Sequence, residues 1–444
     1  MKRLYEPFAY GQEPIAQSFW RESVTLPEPC PAVSGEVTCD TAIIGAGFTG
    51  LNAALKLAEA GEDVVVLDAQ QPGWGASGRN GGFCCLGGAK LDPAAIRRRF
   101  GEEAARTYAR AERQAVDHVR DLLDRHRIEA DTHSRGETLL AHRPKAVAEL
   151  KARGEEVARI HGLDCAFLSK EELPEHGMAS PEFHAALTTP IGFALNPMKY
   201  VLGLAAVARD AGARLFGDSP VERISAAADG RHLLHTPSGQ MRARRFVIAT
   251  NGYSSEDVPR WMAGRYLPVQ SSILASRVLT PEERAAQGWT TAQMCYDSRN
   301  LLHYFRLLPD GRMLFGMRGS TRSRVADHER VRTRMRADFE RFFPAWRDVE
   351  TPHFWSGFVC LSRDLTPFVG AIPGSDGGYA AFAYHGNGVA MGSYAGVRLA
   401  EMMLGQGDPL PAVMTTPPRR FELGPLRRAV LPLAYAWYGL QDRS

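Results

Sequence analysis

Gly45, Gly47 and Gly50 stand in the pattern G-x-G-x-x-G, with Phe48 and Thr49 between them, and Asp68 follows with Ala69. Each residue type answers a chemical need. Gly45 permits a tight turn, Gly47 lets backbone approach a pyrophosphate, and Gly50 lets a helix pack against a strand. A carboxylate at Asp68 can accept both hydroxyls of an adenosine ribose without a 2′-phosphate. These roles require a strand, a turn, a helix and a second strand in that order. Residues 41–44 form a short apolar run, and residues 51–60 carry apolar side chains at helical spacing up to Gly61. Residues 64–67 form a second apolar run that ends at Asp68. Free N–H groups and the positive dipole end at such a helix start attract phosphate. The frame is complete and predicts dinucleotide binding.

Two further stretches expose backbone to something large. Residues 73–83 read GWGASGRNGGF and hold Gly75, Ala76, Ser77, Arg79, Asn80, Gly81, Gly82 and Phe83. Near the other end, His385, Gly386, Asn387 and Gly388 form a glycine-rich turn before a helix that begins at Val389. Between them lie Trp355-Ser356-Gly357 and the run from Arg363 to Gly370. This set, over residues 40–404, resembles the D-amino-acid oxidase-like family of FAD-dependent oxidoreductases. GASGRNGG is most similar to the branch with gamma-glutamylputrescine oxidase and the glycine and sarcosine oxidases.

The resemblance implies FAD as cofactor, held by the 73–83 segment. Val221 would meet adenine through its backbone, and Thr250, Asn251 and Gly252 would lie near the cofactor. The 385–388 turn and the helix start at Val389 would face the flavin pyrimidine and ribityl chain, with His385 the best candidate for a polar group beside the ring. Some relatives attach FAD through a His after the second strand or a late Cys. The 73–83 loop lacks His, and Phe358 rather than Cys360 aligns with the late position, so non-covalent FAD is expected. The implied reaction removes a hydride equivalent from a carbon beside an amine nitrogen, and the imine then hydrolyses. The partners are a small amine or amino acid and oxygen or another acceptor. The chain has no Lys after Lys199, so the oxygen-activating cation is expected to be Arg306 or protonated His303, or else the acceptor is not oxygen. Cys84 and Cys85 read as buried thiols rather than a redox pair.

The positioning elements predict an α/β chain: a Rossmann-like FAD-binding domain with an interleaved α+β substrate domain built on a mostly antiparallel sheet. The expected FAD-binding segments are 38–90, 195–255 and 350–410. The substrate segments are 91–194 and 256–349, with an N-terminal arm at 1–37 and a C-terminal tail at 411–444. Helices are expected over 93–123 and 144–161, their solvated charges forming the outer face of the second domain. Alternating residues over 266–279, 301–308 and 312–317 read as strands. Tyr296, His303, Tyr304 and Arg306 are the pocket candidates on this sheet. Alternation sets Tyr304 and Arg306 on one face and His303 on the other. An inner face with Tyr304 and Arg306 would offer a ring and a carboxylate clamp. Trp20 reads as packing for the arm, and the tail as packed on its own domain or a second subunit rather than on a membrane.

Composition narrows the classes. Over 444 residues the chain is 44% hydrophobic and 23% charged, with a formal net charge of +3. Its arginines are scattered among acids, which excludes a nucleic-acid arm. The cysteines form no C-x-x-C pair, the N-terminal residues carry no apolar signal core, and no run of about 18 apolar residues occurs. A reduced, cytoplasmic setting is expected; the oligomeric state is open. Two rivals stand. One is a NAD-dependent dehydrogenase, which flavin absorption would exclude. The other is a non-catalytic or accessory flavoprotein of the same fold, which an amine screen would separate.

Overall fold

The computed structural model describes residues 1–442. Its first sheet is built on the Gly35–Ile44 strand, which pairs in parallel with Val64–Leu67 on one side and Gly239–Ile248 on the other. Arg214–Phe216 extends one edge in parallel. Gly378–Phe382 extends the other in parallel, and Phe368–Ala371 closes it antiparallel. Ala42, Ile43, Val64, Val65, Val66 and Val247 are fully buried, as strands covered on both faces require. The Phe48–Glu59 helix makes the first crossover, and Ala390–Met403 packs against it. Separate stretches of chain thus complete one sheet, as the interleaved pattern predicts.

The second sheet runs His353–Leu361, Leu267–Val278, Arg312–Arg318, Tyr304–Leu307, Met294–Asp297, Glu137–Leu140, Ala185–Thr189 and Ala166–Ser169. Only the pairing of Met294–Asp297 with Glu137–Leu140 is parallel. One face is sealed by the Val325–Phe342 helix and the turn after it, where Phe339, Phe342 and Phe343 pack on Phe305 and Phe315 and Trp346 packs behind them. The opposite face looks onto a cavity. The His353–Leu361 strand belongs to this sheet, although the sequence reading placed residues 350–410 wholly with the cofactor domain.

Two other expectations change. The helix expected over 93–123 is two helices, Pro93–Phe100 and Glu102–His126, broken at Gly101, whose φ is +89°. The second helix does not form the outer face of a separate domain. Its Ala111, Ala115 and Val119, one turn apart, are buried in the same core as Phe48–Glu59 and Ala390–Met403. Small side chains at that spacing let the helix lie close against its neighbours. The tail ends in the Leu431–Gln441 helix. Arg427 is fully buried against Glu256, and Arg428 pairs with Glu6 at 2.9 Å, so these two arginines of the tail are spent on the chain itself.

Candidate active site

The turn after the first strand has the shape that its glycines predict. Gly45 has φ +112°, and a Cβ there would lie 2.8 Å from the carbonyl oxygen of Ala249. A Cβ on Gly50 would lie 1.9 Å from the Gly45 carbonyl oxygen, so Gly50 serves helix–turn contact and does not itself line the cavity. Gly47 caps the Phe48–Glu59 helix. The Asp68 carboxylate accepts the Ala46 N–H at 2.7 Å and the Gln70 N–H at 2.9 Å, and it still faces the cavity. Burial raises its pKa, against those hydrogen bonds.

Residues 75–83 run along the same wall. Arg79 is 4% exposed and stacks on Trp74 at 4.0 Å. Its Nε donates to the Trp74 carbonyl at 2.6 Å and its Nη1 to the Ser356 carbonyl at 3.1 Å, while the buried Nη2 has no partner. Asn80 holds the loop's own shape, bonding the Ala76 and Ser77 carbonyls and the Gly82 N–H. Two tryptophans pin the loop from behind. Trp355 donates to the Arg79 carbonyl and Trp20 to the Asn80 carbonyl, each at 2.8 Å. Trp20, read from sequence as plain packing, ties the N-terminal arm to this loop.

A cavity of about 1980 Å³ runs from the Gly45 turn to the inner face of the second sheet. Single ligand pockets usually span about 300–1,000 Å³, so this one has room for a large cofactor and a second molecule. Gly45, Gly47, Phe48, Thr49, Asp68, Ala69, Gly75, Ala76, Ser77, Arg79, Asn80, Gly81, Phe83, Val221, Thr250 and Asn251 line it, as do His385, Gly386, Asn387, Gly388 and Val389. Gly82 and Gly252 do not; a Cβ on Gly82 would meet the Leu195 carbonyl, and one on Gly252 would meet Phe358. They shape the wall from outside.

His385 is 4% exposed, and both ring nitrogens are engaged. Nδ1 bonds the Gly88 carbonyl at 2.7 Å, and the Ser362 N–H donates to Nε2 at 3.2 Å. Burial, helped by nearby Lys90, pushes its pKa down to about 4. The ring is therefore neutral and fixed, and it ties the 385–388 turn to residue 88 with no free nitrogen for proton transfer. Asn387 extends that tie, donating to the Leu86 carbonyl at 2.7 Å.

On the second sheet, register decides which candidates reach the cavity. Tyr304 stands opposite Tyr296, and Tyr296 opposite Leu139, with Glu137 two residues along. All four line the cavity. Gly316 lies opposite Tyr304 on the other side, where a Cβ would be 2.2 Å from the phenol ring. The Tyr304 hydroxyl bonds Ser271 Oγ at 2.8 Å, and burial pushes its pKa up to about 12.

Arg306 shares the face of Tyr304, as alternation predicts, but it is not in the pocket. It is fully buried behind the 75–83 loop. Nε donates to the Gly81 carbonyl at 3.0 Å, Nη2 to the Leu195 carbonyl at 2.7 Å, and Nη1 to His133 Nε2 at 2.8 Å. A substrate carboxylate finds no open fork there. His303 lies on the opposite face between Asp297, at 2.9 Å, and Asp338, at 3.3 Å. Neither residue supplies a cation to the cavity. Lys90 does line it.

Sequence reasoning missed several cavity residues. Glu112, Glu137, Arg153 and Lys90 line it, yet Glu112 and Arg153 sit on helices read as solvated surface. No local signal distinguishes a charge that faces a cavity from one that faces bulk water. Cys84 and Cys85 are buried free thiols whose pKa burial raises, which suits structural rather than redox cysteines.

Against known proteins, residues 40–402 match the family model DAO, described as FAD dependent oxidoreductase. The chain is 32% identical over 440 residues to the probable oxidoreductase OrdL of Rhizobium meliloti (strain 1021), covering 97% of this chain and 99% of that one. It is 28% identical over 428 residues to the gamma-glutamylputrescine oxidoreductase of Escherichia coli (strain K12), covering 96% and 98%. Glycine oxidase from Geobacillus kaustophilus superposes with a TM-score of 0.71 at 18% identity, over 85% of this chain and 98% of that one, a likeness of fold.

Proposed function

The chain belongs to the DAO family of FAD-dependent oxidoreductases, and from that we propose that it oxidises the C–N bond of an amine or amino acid, of the gamma-glutamylputrescine type, to an imine that hydrolyses. The observation that carries this is the continuous cavity joining a dinucleotide cradle to a tyrosine-lined sheet face. The residues present fit FAD. The Gly45–Gly47 turn and the N-terminus at Phe48 would take the pyrophosphate, Asp68 the ribose, and the Val221 backbone the adenine. Arg79, whose buried Nη2 has no partner, lines the same cavity. Residues 75–83 and the turn from Gly386 to Val389 would hold the flavin.

Bound FAD supplies the two-electron oxidation. The protein's part is to hold the reacting carbon against the ring. Tyr304, fixed by Ser271, and its neighbour Tyr296 are neutral phenols that orient the substrate from the sheet side. His385 keeps the turn at the ring's pyrimidine end rigid and uncharged. Lys90, beside His385, is our candidate for the cation that faces the acceptor, in place of Arg306 and His303. We assign non-covalent attachment, because Cys360 is buried in the His353–Leu361 strand and its thiol is pushed up to about 12 by burial. We place the protein in the cytoplasm, because all seven cysteines are free and no helix among the described residues is long and apolar enough to cross a membrane.

The test is to mix the purified yellow protein anaerobically with a panel of amines and amino acids. Bleaching of the flavin band by an amine supports the reading; repeating the reaction with oxygen and with a dye then separates oxidase from dehydrogenase. A flavin that no amine reduces would refute it, and a protein without flavin absorption would return the nicotinamide reading.

A further inference from the structure

The tail helix Leu431–Gln441 lies beyond residue 402, where the family match ends, and it covers part of the cavity. Leu431, Ala434, Tyr435 and Tyr438 recur at helical spacing on one side and line the cavity. Leu431 and Tyr435 pack with Leu267, Val269 and Leu361 of the second sheet. Leu267 and Val269 line the cavity in the row that continues to Ser271, the partner of Tyr304. The helix therefore roofs the tyrosine-lined end rather than the cofactor cradle. Its other side, with Leu433, Trp437 and Leu440, is exposed.

This helix is held mainly at its two ends. Before it, Arg427 is fully buried, with Nε donating to the Tyr266 carbonyl at 2.6 Å and Nη1 to Glu256 at 3.0 Å. After it, the Asp442 carboxylate accepts the Asn300 N–H and Asn300 Nδ2, each at 2.8 Å, and the Leu301 N–H at 3.1 Å. Asn300 and Leu301 line the cavity, so this latch closes on the rim. Between the ends, Leu431 alone is buried among the described residues of the helix. A segment with so little burial opens at low free energy. The Gly424–Val430 3-10 helix passes straight into the α-helix, a junction suited to a hinge, and Pro432 brings no N–H to tie it. Tyr435 lines the cavity, and its buried hydroxyl has no partner among the described residues; water or a ligand would satisfy it.

We infer that the Leu431–Gln441 helix is a gate over the substrate end, hinged before Leu431 and latched by Asp442 on residues 300–301, and that it lays Tyr435 and Tyr438 on the molecule it admits. The identity of that molecule as an amine rests on the reading above; the gate does not.

Hydrogen exchange on the FAD-loaded full chain, read by mass spectrometry without any amine, tests the gate. Amides 434–441 should exchange about 100-fold faster than those of Phe48–Glu59, while residues 424–428 stay protected. Asp442→Ala, outside the cavity lining, should raise that exchange about 10-fold, the size of one lost charged hydrogen bond. Tyr435→Phe removes the unpartnered hydroxyl and should slow it. A disulfide joining Asn300→Cys to Asp442→Cys should slow bleaching of the flavin by butylamine about 10-fold or more, and reduction of that disulfide should restore the rate. Tyr438→Ala should raise kcat/KM for the thicker 4-phenylbutylamine relative to butylamine by about 10-fold. Amides 434–441 that exchange like Phe48–Glu59 and ignore Asp442→Ala would overturn the gate, whether or not an amine reduces the flavin. Equal bleaching with the disulfide closed and open would overturn it too. An unchanged ratio of the two amines in Tyr438→Ala would take Tyr438 off the substrate. Fast, Asp442-dependent exchange in a protein that no amine reduces would leave the gate standing and refute the amine reading.

Discussion

Replacing Arg306 distinguishes a substrate clamp from a structural clasp. In Arg306→Met, the Gly81 and Leu195 carbonyls and His133 Nε2 all lose their donor. A buried acceptor left unmatched costs about 1–3 kcal/mol. Three such losses, reduced for their sharing one site, come to about 3–6 kcal/mol. That is a large part of a typical folding stability of about 5–15 kcal/mol. The damage should be centred on the 75–83 loop, which Arg306 ties to Leu195 at Gly81. The expected result is a clear drop in the urea unfolding midpoint and faster loss of FAD on dialysis. Kinetically, KM on an amino acid and on the matching amine without its carboxyl group should change by the same factor. Arg306→Lys keeps a charge but offers no fork and should fall between the two. Burial lowers the Arg306 pKa to about 9, so these measurements belong near pH 7, where the group is charged. A selective KM rise on the amino acid, with stability and flavin content intact, would refute the reasoning and restore Arg306 to the pocket.

Other outcomes follow from the same geometry. Asp68→Ala should raise the dissociation constant of FAD by about 10-fold or more, because it removes the ribose acceptor and frees the Ala46 and Gln70 N–H groups; flavin occupancy that survives dialysis unchanged would remove Asp68 from the site. FAD should stay in the supernatant when the protein is precipitated with acid, and flavin that sediments with the chain would show a covalent link. His303 is raised above its ordinary 6.5, because Asp297 and Asp338 outweigh its burial. The folded protein then holds a proton that the unfolded chain has lost, so this contribution is complete below pH 6.5 and disappears as pH rises through the folded pKa. Thermal midpoints measured upward from pH 6.5 should therefore fall more steeply in the parent than in His303→Gln; identical slopes would contradict the pairing. Trp20→Phe keeps the ring and loses only the donor to Asn80, so it should cost about 1–3 kcal/mol and show as weaker FAD retention with kcat per bound flavin preserved.

What the sequence determined by itself was whatever is encoded in neighbouring residues. Gly45, Gly47, Gly50 and Asp68 predict their turn and its ligand because the chemistry needs them within one strand–turn–helix unit, where spacing fixes geometry. The second glycine-rich turn at 385–388 is legible for the same reason. Strand alternation correctly put Tyr304 and Arg306 on one face and His303 on the other. It could not say what lies over each position along that face, since parity repeats every two residues while the opposing surface changes. Tertiary packing decided that Tyr304 meets the cavity and that Arg306 is covered by Gly81 and Leu195. It also turned Glu112 and Arg153, solvated in any helical projection, toward a cavity shared with Glu137. A helix shows which residues share a face, but only the chain folded against it shows whether that face meets water, protein or a ligand.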